Sequence, residues 1–280
     1  MSVTVVTDST SYLPAGAAAS LGIRVVPLHV LVGSDGHLDG VSLSAAELAA
    51  AMSDKVPVST SRASPAELAA AYRSALADGA SAVVAVHLSR QLSGTWEAAR
   101  LAAAELGGQR VVRIVDSRSV AMGLGYAVLA AASAAVDGAS AEEVEAIAAG
   151  VAARTRTFFS VDTLEHLRRG GRISWSASLL GTALAVKPLL HVVDGRIEPL
   201  EKVRTASKVI ARLTELASGS GSCRIAVHHL AAAARAEQLV ERLRRAPGVR
   251  DVTACELGAV LGAHTGPGAL GVVVLPDTPS

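Results

Sequence analysis

The sequence is poor in aromatic residues, in cysteine and in net charge, and each shortage excludes a class of protein. Only 2% of the 280 residues are aromatic and the formal net charge is +1, so the stacking side chains and basic face typical of nucleic-acid-binding proteins are missing. The two cysteines, Cys223 and Cys255, lie in separate apolar runs without the spacing of a metal site, which predicts a reduced, cytoplasmic protein.

Long hydrophobic runs are also missing. No apolar run approaches the roughly 20 residues that a membrane span requires. The first residues enter an apolar strand at once and lack the charged start and apolar core of a signal peptide. We therefore expect neither a membrane span nor export.

What the sequence does contain is an alternation of apolar, β-branched runs with alanine-rich segments. That alternation is typical of an α/β fold with a mainly parallel sheet. The pattern changes near residue 155, and Asp194-Gly195 between two later apolar runs is a β-hairpin signal. We predict a first α/β domain over residues 1–155, joined by the C-terminal strand 270–280, and a second, smaller α/β domain with a β-hairpin over residues 156–269.

The stretch from Ala82 to Arg100 contains the clearest candidate for a ligand site. A valine-rich strand passes through hydroxyl-bearing residues into an alanine-rich helix, so Ser93 lies where a strand's carboxyl end meets a helix's amino end. Parallel sheets bind ligands at that edge, and the unpaired N–H groups of the helix favour an anion. The sequence predicts a bound carboxylate here. The alternative is that Ser93 or Thr95 only caps the helix.

Two other polar segments in the first half have both a structural and a functional interpretation. Asp8-Ser-Thr-Ser11 follows the first strand and either caps a helix or faces a ligand cleft. Residues 56–65 read as a polar loop between prolines, in which Ser64 begins a capping box. Capping does not explain Thr60 and Ser61, which are therefore either solvated or functional.

Three patterns stand out in the second half. Arg168-Arg-Gly-Gly-Arg172 is typical of a helix carboxyl end, and a helix is predicted over residues 175–185. Residues 262–271 form a glycine-rich loop that contains His264. The glycines of this loop match the spacing of a dinucleotide-binding fingerprint, but they precede a strand and flank Pro267, which excludes a nicotinamide or flavin site.

An enzymatic alternative rests on Ser93, His264 and an acid such as Asp8, which could form a hydrolase triad. Ser93 lacks the glycine two residues earlier that a nucleophile elbow requires. Histidines and carboxylates nowhere cluster at metal-ligand spacing, and no Walker A sequence is present. A serine hydrolase or acyltransferase acting on a lipid ester remains the second hypothesis.

Taken together, several short motifs resemble the DegV family, the fatty-acid-binding proteins that serve bacterial fatty acid kinase. Their order and spacing extend over nearly the whole chain. They are Thr7-Asp-Ser-Thr-Ser11, Thr60-Ser61 with Ser64-Pro65, Leu92-Ser-Gly-Thr95, Val115-Asp-Ser117, Leu164-Glu-His-Leu-Arg-Arg-Gly-Gly-Arg-Ile-Ser174, Lys187-Pro188, and His264 with Gly266-Pro-Gly268.

The resemblance implies a two-domain lipid-binding protein that buries a long-chain fatty acid and is not itself an enzyme. It implies that Thr60, Ser93 and His264 bind the carboxylate, and that Arg172 and Arg204 contact phosphates of a kinase or membrane surface. The expected partners are the fatty acid, a fatty acid kinase that forms the acyl phosphate, and transiently a membrane; no further cofactor is expected. Arg62 and Ala63 depart from the usual Thr-Ser-Gln-Pro-Ser of the family.

Overall fold

The structure is a computed structural model that describes residues 2–173, 186–219 and 221–277, and its contacts divide the chain into two compact units. The first unit consists of Met1–His29 and Ser61–Arg154, and the second of Val30–Thr60 and Thr155–Ser280. The helix predicted over residues 175–185 lies outside the described residues.

The first unit is built on a parallel sheet, which confirms the predicted sheet type. Its elements are β1 (Val3–Asp8), α1 (Ala17–Ser20), β2 (Arg24–Val26), α3 (Pro65–Ala77), β6 (Ala82–His87), α4 (Thr95–Ala104), β7 (Val112–Asp116), α5 (Met122–Val136) and α6 (Ala141–Arg154). The strand order is β2-β1-β6-β7, and every neighbouring pair is parallel. All six residues of β6 are buried, so both faces of this central strand are covered.

The second unit contains a three-stranded and a six-stranded sheet, ordered β4-β3-β5 and β10-β9-β8-β13-β11-β12. Its elements are β3 (His29–Val32), β4 (Asp35–Leu38), α2 (Ala45–Ser53), β5 (Val58–Ser61), β8 (Arg156–Ser160), α7 (Glu165–Arg169), β9 (Lys187–Val193), β10 (Arg196–Val203), α8 (Ala206–Ser218), β11 (Cys223–His229), α9 (Ala233–Arg244), β12 (Val249–Glu256), α10 (Ala259–Thr265) and β13 (Leu270–Pro276).

The predicted hairpin is confirmed, since β9 and β10 pair antiparallel around Asp194 and Gly195. Both turn residues have positive φ, 48° and 81°, which is the type I′ geometry that matches the twist of the flanking strands. Strands β11 and β12 are parallel and are joined by α9, which makes them a βαβ unit.

The structure corrects the predicted membership of the C-terminal strand. β13 pairs antiparallel with both β8 and β11, so it lies in the second unit and does not join the first. Residues 30–60 also belong to the second unit, which makes that unit the larger of the two instead of the smaller. Local pattern could not reveal either fact, because an apolar strand is compatible with any sheet that buries it.

Two elements near the candidate site were missed in the sequence. β5 runs through the segment predicted as a loop, and α10 occupies the start of the predicted glycine-rich loop. Strand β5 is short and lies at the end of its sheet, so it shows no long alternating pattern. Helix α10 has only seven residues and contains Gly262. Glycine lowers the helix propensity of a segment.

Within the described ranges, no helix combines the length and apolar character needed to cross a membrane. The same residues include no group of three or more histidine, cysteine or acidic side chains able to hold a metal ion. Cys223 and Cys255 are both free.

Candidate functional site

Thr60 and His264 lie together in the second unit. The Thr60 hydroxyl is 2.8 Å from Nε2 of His264, although the two residues are 204 positions apart in sequence. Thr60 lies in β5 and is half-buried, while His264 lies in the last turn of α10. Two of the three residues predicted to hold a carboxylate are therefore in direct contact.

Packing between α2 and α10 holds this pair in place. Gly262 of α10 faces Leu48 of α2 so closely that a methyl group on Gly262 would overlap the leucine side chain. The buried carboxylate of Asp39 accepts a hydrogen bond from the backbone N–H of Val260 at 3.3 Å, near the amino end of α10. These contacts bind the segment of residues 30–60 to α10, and that segment ends at Thr60.

The imidazole of His264 is fixed by the carboxyl end of α7. A Cβ atom on Gly170 would overlap Nδ1 of His264, so only glycine permits this approach. The guanidinium of Arg172 donates to the carbonyl of the same Gly170. Burial, and secondarily the charge of Arg172, lowers the pKa of His264 to about 4. The ring is therefore neutral near pH 7.

This lowered pKa gives a testable prediction for acid conditions. Because the unfolded chain binds a proton near pH 6.5 and folded His264 does so only near its pKa of about 4, stability is lost as pH falls between these values. Burial likewise lowers the pKa of His228 to about 4. We expect nitrogen-detected NMR to find the His264 ring uncharged at about pH 5.5. A protonated ring at that pH would contradict the buried site.

A second prediction concerns Gly170. Replacing it with alanine should displace the His264 ring and lower the free energy of unfolding by about 1–3 kcal/mol, measured by urea denaturation. Gly150→Ala is the matched control, because no atom lies within 4 Å of a Cβ at Gly150, and a gain of about 0.5–1 kcal/mol is expected in that helix. Equal stability of the Gly170→Ala and Gly150→Ala proteins would contradict the packing described for His264.

Ser93 lies in the first unit, between the carboxyl end of β6 and the start of α4. Its hydroxyl oxygen accepts from the backbone N–H of Thr95 at 3.3 Å and lies 2.9 Å from the Thr95 hydroxyl. The N-cap residue of α4 is Gly94, which makes no side-chain cap, so Ser93 lies one position before the cap and bonds the N–H of the first helical residue. The Ser93 oxygen accepts from the Thr95 N–H, and its own O–H can be donated either to the Thr95 hydroxyl or to a ligand, so this contact leaves the ligand interpretation open.

The first turn of α4 also offers backbone donors. The first hydrogen bond of the helix runs from the N–H of Ala98 to the carbonyl of Gly94. The N–H groups of Trp96 and Glu97 therefore have no acceptor within the helix. Such groups, with the helix dipole, favour an anion.

The two arginines named by the resemblance differ in their surroundings. Arg172 is half-buried and bonded to Gly170 as described above, and burial lowers its pKa. Arg204 is exposed in the connection between β10 and α8. Both belong to the second unit, and their predicted role toward phosphates stays a prediction.

A buried polar network of the first unit was missed in the sequence. Asp8, His87 and Tyr72 have no exposed surface. Oδ2 of Asp8 lies 3.0 Å from Nδ1 of His87, and Nε2 of His87 lies 3.2 Å from the Tyr72 hydroxyl. Burial, and then the charge of Asp8, raises the pKa of Tyr72. The only sequence signal was a histidine that ends a strand of apolar residues.

This network bears on the hydrolase hypothesis. Asp8 also accepts from the backbone N–H of Thr10 and of Leu88, which supports the capping interpretation of Asp8-Ser-Thr-Ser11. Among the described residues, the acid of the hypothetical triad thus contacts His87, and His264 contacts Thr60. The geometry therefore does not favour a triad with Ser93.

A cavity of about 520 Å³ in the first unit lies near the amino ends of the strands, beside Val3 and Ala82. Its lining includes Arg113, whose guanidinium pairs with Glu142 and, at 2.6 Å, with Glu145. Ligands of open parallel sheets bind at the carboxyl ends, and the charge of Arg113 is already compensated. We therefore do not assign an acidic ligand to this cavity.

Comparison with known proteins gives a consistent result. The family model described as "Uncharacterised protein, DegV family" matches residues 2–277. A DegV domain-containing protein of Streptomyces coelicolor is 52% identical over 276 residues, 97% of this chain and 98% of that protein.

Solved structures of similar proteins extend over the same length. A fatty-acid-binding DegV family protein from Thermus thermophilus has a TM-score of 0.90 and 34% identity, covering 99% of this chain and 100% of that one. DegV from Bacillus subtilis, described as a fatty-acid-binding protein, has a TM-score of 0.87 and 32% identity with the same coverage. These matches confirm the resemblance drawn from the motifs and the predicted fold class.

Proposed function

Since the chain belongs to the DegV family, we propose that it binds a long-chain fatty acid, whose carboxylate is held by the hydroxyls of Thr60 and Ser93 with support from His264. The relatives from Thermus thermophilus and Bacillus subtilis, described as fatty-acid-binding, support the ligand class. The protein itself is a carrier of the lipid and not an enzyme.

The observation that carries this proposal is the 2.8 Å contact between the Thr60 hydroxyl and Nε2 of the half-buried, neutral His264. A neutral imidazole carries one N–H and one lone pair. When Nε2 carries the hydrogen, the threonine oxygen accepts it and the threonine O–H is free to donate. His264 thus acts as a positioning residue that directs the Thr60 proton toward a carboxylate.

The tail and the carboxylate of the fatty acid contribute differently to binding. Each buried methylene contributes about 0.8 kcal/mol, so a tail of about fourteen gives roughly 11 kcal/mol before the costs of association. A carboxylate taken out of water needs hydrogen bonds to offset its desolvation. Charge-assisted bonds from Thr60 and Ser93 stabilise it and fix its orientation, while we propose that burial of the tail in an apolar tunnel supplies the affinity.

The chemistry on the carboxylate is assigned to a partner. We propose that the bound acid is presented to a separate fatty acid kinase, which forms the acyl phosphate for phospholipid synthesis in the cytoplasm. Arg172 and Arg204 are the proposed contacts with phosphates of the kinase or, transiently, of a membrane surface. The sequence has no Walker A motif of its own, which agrees with phosphorylation by another protein.

Native mass spectrometry of the purified protein tests the ligand. We expect a non-covalently bound fatty acid that organic extraction recovers intact. A covalent acyl adduct on Ser93, or steady turnover of an ester substrate, would instead establish the hydrolase or acyltransferase alternative.

A reconstituted reaction tests the partner. The loaded protein is incubated with a bacterial fatty acid kinase and ATP, and acyl phosphate is trapped with hydroxylamine. We expect product only when both proteins are present. Product formation by this protein alone, or by the kinase alone at the same rate, would contradict the carrier role.

A further inference from the structure

The groups proposed to hold the head group are all uncharged. Thr60 and Ser93 carry hydroxyls, and the lowered pKa of His264 keeps its ring neutral near pH 7. Hydroxyls and neutral rings can also form hydrogen bonds with a fatty alcohol or an ester. Hydrogen bonds to an ionised acceptor are the stronger ones, so these groups already favour an acid, and a cation near the head group would add to that preference.

Arg62 supplies a cation at the start of α4 in the first unit. A Cβ built on Gly94 would lie 3.2 Å from Nη1 and 3.3 Å from Cδ of Arg62, closer than side chains ordinarily pack. Gly94 is the residue before the first turn of the helix, and Ser93 precedes it. The guanidinium thus lies against the backbone of Gly94, the residue after Ser93, and the absent side chain of Gly94 permits this.

The charge of Arg62 lies near the amino end of α4, and the side chain is exposed to water. Cations are destabilising near a helix amino end, where the dipole is positive. Arg90 and Arg100 also lie over the Trp96 ring in the same helix turn, at 5.3 and 5.1 Å. Glu97 lies in the first turn of the helix, and Asp116 pairs with Arg90 at 3.4 Å. Arg62 has no ion pair with any residue in the described part of the chain.

We propose that Arg62 is a specificity-determining residue that contacts the anionic head group at the start of α4 and makes this chain select acids over neutral lipids. The inference rests on the proposed function and adds to it a charge contact. The inference also explains what the change from the usual glutamine to Arg62 would do, because glutamine carries no charge.

The test measures acid and alcohol separately. Radiolabelled oleic acid and oleyl alcohol are partitioned between the protein and phosphatidylcholine vesicles, for the wild type and for Arg62→Gln and Arg62→Lys. Arg73→Gln is the control, since Arg73 is an exposed arginine of α3 paired with Glu105 at 3.2 Å. Circular dichroism establishes that every variant is folded.

We expect Arg62→Gln to weaken oleic acid binding about five- to tenfold and to leave oleyl alcohol binding unchanged. Arg62→Lys should retain part of the preference, and raising salt from about 0.05 to 0.5 M should weaken acid binding more in the wild type than in Arg62→Gln. An unchanged ratio of acid to alcohol affinity in Arg62→Gln overturns the inference. A wild type that binds neither lipid overturns the proposed function instead.

Discussion

A protein carrying both Thr60→Val and Ser93→Ala is expected to bind oleic acid at least about a hundredfold more weakly than the wild type. Each hydrogen bond to a charged group contributes about 1.5–3 kcal/mol, so loss of two donors weakens binding by about 3–6 kcal/mol. Valine keeps the shape of threonine, and the change therefore removes the hydroxyl with little change in packing. Partitioning between protein and vesicles gives the affinity directly.

The single variants and a matched control make this test specific. Thr60→Val and Ser93→Ala alone should each lose about tenfold or more. The control combines Ser59→Ala with Ser133→Ala, because both serines are exposed and Ser59 precedes Thr60 in β5, where successive side chains point to opposite faces. If the double variant bound oleic acid with wild-type affinity, the proposed placement of the carboxylate would be wrong.

Removing the carboxylate of Asp8 is expected to cause the largest loss of stability. Asp8→Ala leaves the N–H groups of Leu88 and Thr10 and the Nδ1 of His87 without their present acceptor, in a fully buried place. Each buried donor left unsatisfied costs about 1–3 kcal/mol, so we expect the free energy of unfolding to fall by about 3–5 kcal/mol. Urea denaturation followed by circular dichroism measures it.

Two further variants show whether the loss of stability comes from the buried network or from the loss of any aspartate. Asp137→Ala removes an exposed carboxylate of the same unit and should change stability by no more than about 0.5 kcal/mol. Asp8→Asn keeps the shape of the side chain and one acceptor oxygen, so its stability should lie between those of Asp8→Ala and Asp137→Ala. If Asp8→Ala were as stable as Asp137→Ala, the buried network would not support the first unit.

Local sequence signals were sufficient for much of the fold. The capping box at Ser64 is present as predicted, with Glu67 bonded back to the serine. The hairpin at Asp194-Gly195 and the strand leading to Ser93 also follow the prediction. In each case the structure depends on interactions within a few consecutive residues, such as a reciprocal hydrogen bond, a positive φ or a buried apolar run.

Contacts between residues that are distant in the sequence could not be predicted from these local signals. Thr60 was singled out because capping did not explain it, and His264 because of its glycine-rich surroundings, yet nothing local relates the two. Their hydrogen bond depends on α2 packing against α10 through Leu48 and Gly262. The role of His87 was missed for the same reason, because its partners Asp8 and Tyr72 come from other elements.

The discontinuous second unit has a consequence for synthesis on the ribosome. Asp39 and its partner Val260 are 221 positions apart, so residues 30–60 emerge long before the helix that they pack against exists. Until then Leu48, fully buried in the finished protein, has no partner from α10. Because exposed apolar surface promotes aggregation, we expect the nascent chain to be prone to aggregation until α10 has been translated.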